Sequence, residues 1–206
     1  MRIAYVVALA VLSGALLGVP VRADEKEESR PPAENKATED DAKTITAAIE
    51  HFSEQKVVFA FTGRESKKVI LIHKDSSGPG GIYLSDDQLR SDLNQEKWEI
   101  PGEIREQLRR RNAKKVPLSN LKFGKGVLVA DLEKMPPDLD AKEPPKAYAE
   151  TKAYAFVWLP GYSKDGSTAV VRFSFGPTAH GATATYLLSK KNGVWKVTKW
   201  VFAYYV

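Results

Sequence analysis

The chain has 206 residues, 31 Lys and Arg against 26 Asp and Glu for a net charge of +5, and no cysteine. The missing cysteine excludes a disulfide framework, thiolate metal ligands and a cysteine nucleophile. At this length the chain can build one ordinary domain with a sizeable core, held together by apolar burial.

The first 23 residues have the pattern of an export signal. Arg2 precedes an apolar run from Ile3 to Leu17, Gly18 and Pro20 break it, and Val21 and Ala23 supply small residues for cleavage after Ala23. Retention as an anchor fits less well, because Ser13, Gly14 and Gly18 dilute the run and no basic stop-transfer cluster follows. The pattern predicts an exported protein, periplasmic or extracellular, with no transmembrane segment after cleavage. Residues 24–40 read as an acidic linker. Between Asp24 and Lys43 there are eight acids and four bases, whereas Thr44–Val206 carries 25 Lys and Arg against 18 Asp and Glu. With no aromatic or β-branched aliphatic residue, the linker cannot offset the entropy of ordering and is expected to be disordered. It reads as a solvated spacer, or as an acidic arm that folds back on the basic body.

A single α+β domain is expected over residues 41–206. Ile45, Ala48, Ile49 and Phe52 fall on one stripe of a helix over Asp41–Glu54. Two β-rich segments, Val57–Phe61 and Val69–Ile72, predict a hairpin. The loop Asp75–Gly81 has the glycines of a turn but not the spacing or the Lys-Ser/Thr pair of a nucleotide loop. Ser85 and Gln88 mark a capped helix running to Asn94, with Leu84 and Leu89 closing over its start. A further helix is expected from Pro101, at its first position, to Asn112. Val116–Leu118 and Val127–Leu132 read as extended, and a proline-rich connection around Pro136, Pro137, Pro144 and Pro145 joins two halves expected to share one core.

The last third predicts strands at Ala153–Leu159, Thr168–Phe175, Ala182–Ser189 and Val194–Val206. Asn192–Gly193 signals a tight hairpin, because both turn positions must tolerate positive φ. In the final strand the apolar phase switches between Val197 and Trp200, which requires either a bulge near Thr198 or cover on both faces.

Pro160-Gly161-Tyr162-Ser163, Asp165-Gly166, Ala169-Val170-Val171, His180-Gly181-Ala182, Tyr186-Leu187-Leu188, Lys190 and Gly193-Val194-Trp195-Lys196-Val197 together resemble the C-terminal module of uncharacterised bacterial exported proteins. The resemblance covers about a quarter of the chain. It implies an antiparallel meander and no known activity.

Few constellations point to chemistry. His51, His73 and His180 lie far apart in sequence and lack the paired spacing of a metal site. His180 lies in an expected turn. There is no nucleophile elbow or local Ser-His-Asp signature, and Asp86-Asp87 fits the first turn of a helix, where carboxylates favour the dipole. The basic cluster Arg105, Arg109, Arg110, Arg111, Lys114 and Lys115 crowds one helix end. Guanidinium forks there suit phosphates and carboxylates. The same cations also stabilise a helix C-terminus, and Glu106 can pair with Arg110. No aromatic residues interleave with the cluster, which argues against stacked single-stranded nucleic acid. The late aromatic residues, from Tyr148 to Tyr205, read as the core of a sheet or as the lining of a ligand pocket.

The combined expectation is an antiparallel, curved sheet of six or seven strands packed by one face on two or three helices. Its element order is similar to cystatin-like and NTF2-like folds. The role expected is a non-enzymatic exported accessory or binding protein without cofactor or metal. Its basic helix end would meet an envelope protein or an anionic polymer, and sequence-specific nucleic acid is not expected. The alternative is a small-ligand binder or hydrolase with a pocket between sheet and helices and His180 or His51 at its mouth.

Overall fold

A computed structural model describes residues 36–55, 64–79, 81–94, 98–134, 146–176 and 182–204. The export signal, the linker up to residue 35, the predicted strand Val57–Phe61, the proline-rich connection and His180 lie outside the described residues.

Among the described residues, three α-helices, α1 (Glu39–Ser53), α2 (Asp86–Asn94) and α3 (Gly102–Arg111), accompany seven strands. These are β1 (Val69–His73), β2 (Val127–Ala130), β3 (Thr151–Val157), β4 (Gly161–Tyr162), β5 (Thr168–Gly176), β6 (Ala182–Lys191) and β7 (Val194–Tyr204). They form one mostly antiparallel sheet in the order β2-β1-β3-β5-β6-β7, with β4 paired to β5. Two pairings depart from expectation, since β1 runs parallel to both β2 and β3. The predicted hairpin at β1 is therefore corrected, because both its edges are already occupied.

The β5–β7 meander forms where the pattern placed it. Asn192 and Gly193 take φ of 52° and 74°, the turn that matches strand twist. At the β6–β7 pairing Leu187 faces Lys199 and Leu188 faces Val197, so Thr198 is the extra residue of a bulge. That bulge resets the apolar phase seen in the sequence.

The helices sit on both faces of the sheet, not on one as expected. Period-two alternation in β5 explains why. Ala169, Val171, Phe173 and Phe175 join Ile45, Ile49 and Phe52 of α1 in one core. Val170, between them, belongs to a second core with Leu89 and Leu93 of α2, Ile104 and Leu108 of α3, and Trp158. Burial of each large α1 side chain contributes roughly 1.5–3 kcal/mol.

Helix starts follow capping chemistry. Thr38 caps α1, and the Asp41 carboxylate accepts from the Thr38 N–H at 2.7 Å. Glu39 and Asp40, expected in the linker, thus form the first helical turn, where the dipole favours acids. Ser85 Oγ accepts from the Gln88 N–H at 3.2 Å, as predicted for α2. Pro101 is the N-cap of α3 and not its first helical residue. α3 lies so close to β4 that a Cβ on Gly161 would fall 2.6 Å from the Ile104 carbonyl oxygen.

Two buried ion pairs join the layers. Arg111, at the end of α3, is 0% exposed and holds Asp41 of α1 through two bonds of 2.7 and 2.9 Å. Tyr162 Oη donates to the same carboxylate at 2.8 Å, and burial pushes that phenol well above its usual range. Arg172 of β5 likewise pairs with Asp92 of α2 and donates to Thr185 of β6.

Because Arg111→Ala leaves the Asp41 carboxylate buried without its partner, it is expected to cost about 3–5 kcal/mol. Arg110→Ala, at a 54% exposed side chain, should cost less than about 0.5 kcal/mol. Urea denaturation midpoints of the two variants check the contrast.

Candidate functional site

The basic helix end is divided by its own ion pairs. Arg111 is buried in the α1–α3 junction and faces no solvent, which removes it from the expected patch. Arg105 and Arg109 both reach Asp86, at 3.2 and 2.5 Å. The Arg109 hydrogen bond holds the Asp86 carboxyl below its ordinary range, assisted by the Arg109 and Arg105 charges. Arg110 lies 3.8 Å from Glu106, the pairing expected from helical spacing. Lys114 is exposed on the turn after α3, and Lys115 lies 3.8 Å from Glu133.

His51, on α1, packs its ring against Trp200 at 4.4 Å and Tyr186 at 5.6 Å. Its Nδ1 accepts from the Gln55 amide at 3.3 Å, and burial lowers its pKa. The space between α1 and the sheet is packed with Phe52, Phe173, Phe175 and Phe202. His51 therefore sits against a filled core. Among the described residues no group of His, Cys, Asp and Glu could hold a metal ion.

A different site emerges from the topology. The chain leaves the carboxyl end of β1 for α2, α3 and then β2 on one side, whereas it leaves β3 for β4 and β5 on the other. In open sheets with parallel strands, ligands bind outside the strand carboxyl ends where such connections diverge. A cleft of about 320 Å³ lies there, lined by His73, Ser76, Ser77, Pro79, Tyr83, Lys115, Glu133, Phe156, Trp158 and Ser174.

Its floor is one row of side chains across three strands. Leu71 pairs with Tyr154 and Phe156 with Ser174, so the alternate residues His73, Phe156 and Ser174 share the face opposite α1. The His73 and Phe156 rings lie 5.4 Å apart. α2 packs on β7 and α3 on β4 and β5, and the cleft opens beside them.

The walls are fixed by backbone pairing. Ser77 N–H donates to the Val157 carbonyl at 2.9 Å and Ser76 N–H to the Val116 carbonyl at 2.8 Å, while Leu118 N–H donates to the Lys74 carbonyl at 2.7 Å. Asp75 and Pro117 form a bridge between the same two segments. These bonds tie the loop after β1 to the stretch that carries Lys115. Gly78 turns that loop with φ of 67°, and a Cβ there would lie 2.6 Å from Lys115 Cγ and 3.0 Å from its backbone nitrogen.

The chemistry of the cleft is dominated by donors. His73 is 3% exposed and its Nδ1 accepts from the Leu132 N–H at 3.2 Å. In the neutral ring that bond leaves the proton on Nε2, whose closest carboxylate oxygen, Glu133 Oε1, is 3.8 Å away. Trp158 is 3% exposed, and its Nε1 is buried without a hydrogen-bond partner among the described residues. Ser77 Oγ is in the same condition. An unpaired buried polar group costs about 1–3 kcal/mol. A larger cleft of about 610 Å³ between α2 and the Trp98–Ile100 segment also carries two, Trp98 Nε1 and Arg105 Nε, the latter facing Asp86 Oδ1 at 3.2 Å.

Of the described residues of the basic cluster, Lys115 lines this cleft, and His51 does not. In the sequence His73 reads as an isolated histidine without metal-site spacing, and Trp158 as one of many late aromatic residues. Apolar periodicity carries no signal for either role, because the cleft is made by parallel pairing between distant segments. Comparison with family models, with curated proteins and with solved structures gives no match.

Gly78→Ala is expected to destabilise the fold by about 1–2 kcal/mol from the left-handed backbone alone, with the clash at Lys115 adding to it. Gly102→Ala, whose added Cβ meets nothing closer than 3.7 Å, should be neutral or stabilise by up to about 1 kcal/mol. Thermal denaturation of both variants provides the comparison.

Proposed function

We propose that this chain is an exported, non-enzymatic protein that binds a small ligand in the cleft at the carboxyl ends of β1 and β3. One observation carries the reading. Trp158 Nε1 and Ser77 Oγ are both shielded from solvent and unpaired on residues that line this one cleft. Both atoms are closed to water, so a ligand acceptor meets them only once the Trp158 or Ser77 side chain turns toward the cleft, and that contact would offset their desolvation.

Binding fits the site better than turnover. The lone pair of His73 Nδ1 is taken by the Leu132 N–H, so the ring presents a donor to the cleft and not a general base. Docking of a polyanion on the helix end is less supported, because Arg111 is buried and Arg105, Arg109 and Arg110 already face carboxylates. Among the described residues no helix is long and apolar enough to cross a membrane. The likeness to cystatin-like or NTF2-like folds is kept for the β5–β7 meander over α1. The ligand cavity such a likeness would place beneath α1 is occupied here by aromatic side chains.

The test uses the indole N–H signals of the four tryptophans. When a panel of small polar molecules is titrated into the mature protein, binders should move the Trp158 signal saturably. The Trp195 signal, whose N–H donates to Asp40 at 3.1 Å, should stay in place. A Ser174→Trp variant, folded by circular dichroism but with its cleft filled, should abolish the response. A panel that never moves Trp158, or moves it equally in the filled variant, would overturn the reading.

A further inference from the structure

The side chains that line the cleft restrict what it can take. Trp158 Nε1–H and Lys115 Nζ can only donate, and the Leu132 bond to Nδ1 makes His73 Nε2–H a donor too. Ser77 can donate as well as accept. The cleft's one carboxylate is Glu133, which is 65% exposed and lies on the short helical turn Leu132–Lys134 after β2. Its Oε1 is 3.8 Å from His73 Nε2 and 3.8 Å from Lys115 Nζ. It thus occupies an anion position between two donors without reaching hydrogen-bond distance to either. A free carboxylate, not tethered to that turn, can close to the 2.7–2.9 Å of a charge-assisted bond.

The rest of the lining is flat and apolar. Phe156, Trp158 and Tyr83 supply aromatic walls, Tyr83 is 42% exposed, and its ring lies 5.9 Å from that of Trp158 at a 40° tilt. Such walls favour a planar group next to the anionic end.

We infer that the cleft takes a small organic carboxylate bearing a planar apolar group. The carboxylate accepts from His73 and Lys115, and from Trp158 once its indole turns toward the cleft, and it displaces the Glu133 side chain, which acts as a built-in competitor. This rests on the cleft being a ligand site, as proposed above. A neutral polyol is a poorer match than a carboxylate, because Lys115 and Trp158 offer no acceptor and its hydroxyl hydrogens have only Glu133 and the Ser77, Ser174 and Tyr83 hydroxyls to meet.

The experiment titrates the full mature protein with benzoate, acetate, benzyl alcohol and methyl glucoside, following the Trp158 indole N–H signal and calorimetric heat. Benzoate should bind saturably, at least about tenfold tighter than acetate, and benzyl alcohol should bind weaker than benzoate by a similar factor. Removing the competitor in Glu133→Gln should tighten benzoate several-fold, and Lys115→Gln should weaken it several-fold. Trp158→Phe keeps the wall, loses the donor and should weaken benzoate in the calorimeter. Both surface variants, at Glu133 and Lys115, leave the core untouched, so a folding failure does not obscure the result. If methyl glucoside or benzyl alcohol binds as tightly as benzoate, or Glu133→Gln weakens benzoate, the carboxylate class is overturned and the cleft reading stands. If no probe moves Trp158, both fall.

Discussion

The parallel neighbours on each side of β1 are the constraint from which the site follows. A strand paired in parallel on both edges cannot be joined to either neighbour by a tight turn, so the chain must travel from the far end of one strand to the near end of the next. From β1 that journey holds α2 and α3, and it deposits them over β4, β5 and β7. The carboxyl ends of β1 and β3 then lie beside the helical layer, with their connections leaving in opposite directions. His73, at the last position of β1, reaches the cleft because the strand alternates, with Ile70 and Ile72 turned toward α1.

Charge in this chain is used inside the fold more than its formal excess of cations suggests. Arg111 and Arg172 are fully buried, each opposite a single aspartate from another layer. Such pairs contribute less net stability than their Coulomb attraction implies, because both ions are desolvated. Their larger effect is on geometry. Asp41 sits at the start of α1 and Arg111 at the end of α3, so the pair fixes two helices on opposite faces against the same end of the sheet. The Lys36 carbonyl also accepts from Arg111 at 2.9 Å, which draws the residues before α1 into the junction.

Local chemistry was legible in the sequence and long-range pairing was not. The Ser85 cap, the Asn192–Gly193 turn and the bulge at Thr198 were each readable, because each is decided by residues within a few positions. Thr38-Glu39-Asp40-Asp41 carries a capping signature as well, but it is embedded in an acidic run whose composition reads as linker. The partner of β1 could not be read, since an apolar segment of five residues suits a hairpin or a parallel strand equally. Burial of Arg111 was hidden for a related reason. A cation at a helix end looks solvated until its carboxylate, 70 positions away, is brought beside it. In β5 the residues between the apolar ones read only as mixed partners, so the second covered face was not legible. Val170 and Arg172 are too buried for a strand that meets water on that side.

Unpaired donors are costly in a fold whose net stability is on the order of 5–15 kcal/mol. At about 1–3 kcal/mol each, two polar atoms such as Trp158 Nε1 and Ser77 Oγ would take an appreciable share of that margin if nothing paired with them. Packing does not require them. A phenyl ring at position 158 would bury comparable apolar surface without an orphan N–H, and an alanine at 77 would leave no hydroxyl to satisfy. An acceptor bound at the proposed site would remove that penalty. The same reasoning explains the position of Glu133. Tethered to a short turn and solvated, it lowers the potential of the empty cleft without pairing fully, and it can leave at little cost when a better acceptor arrives.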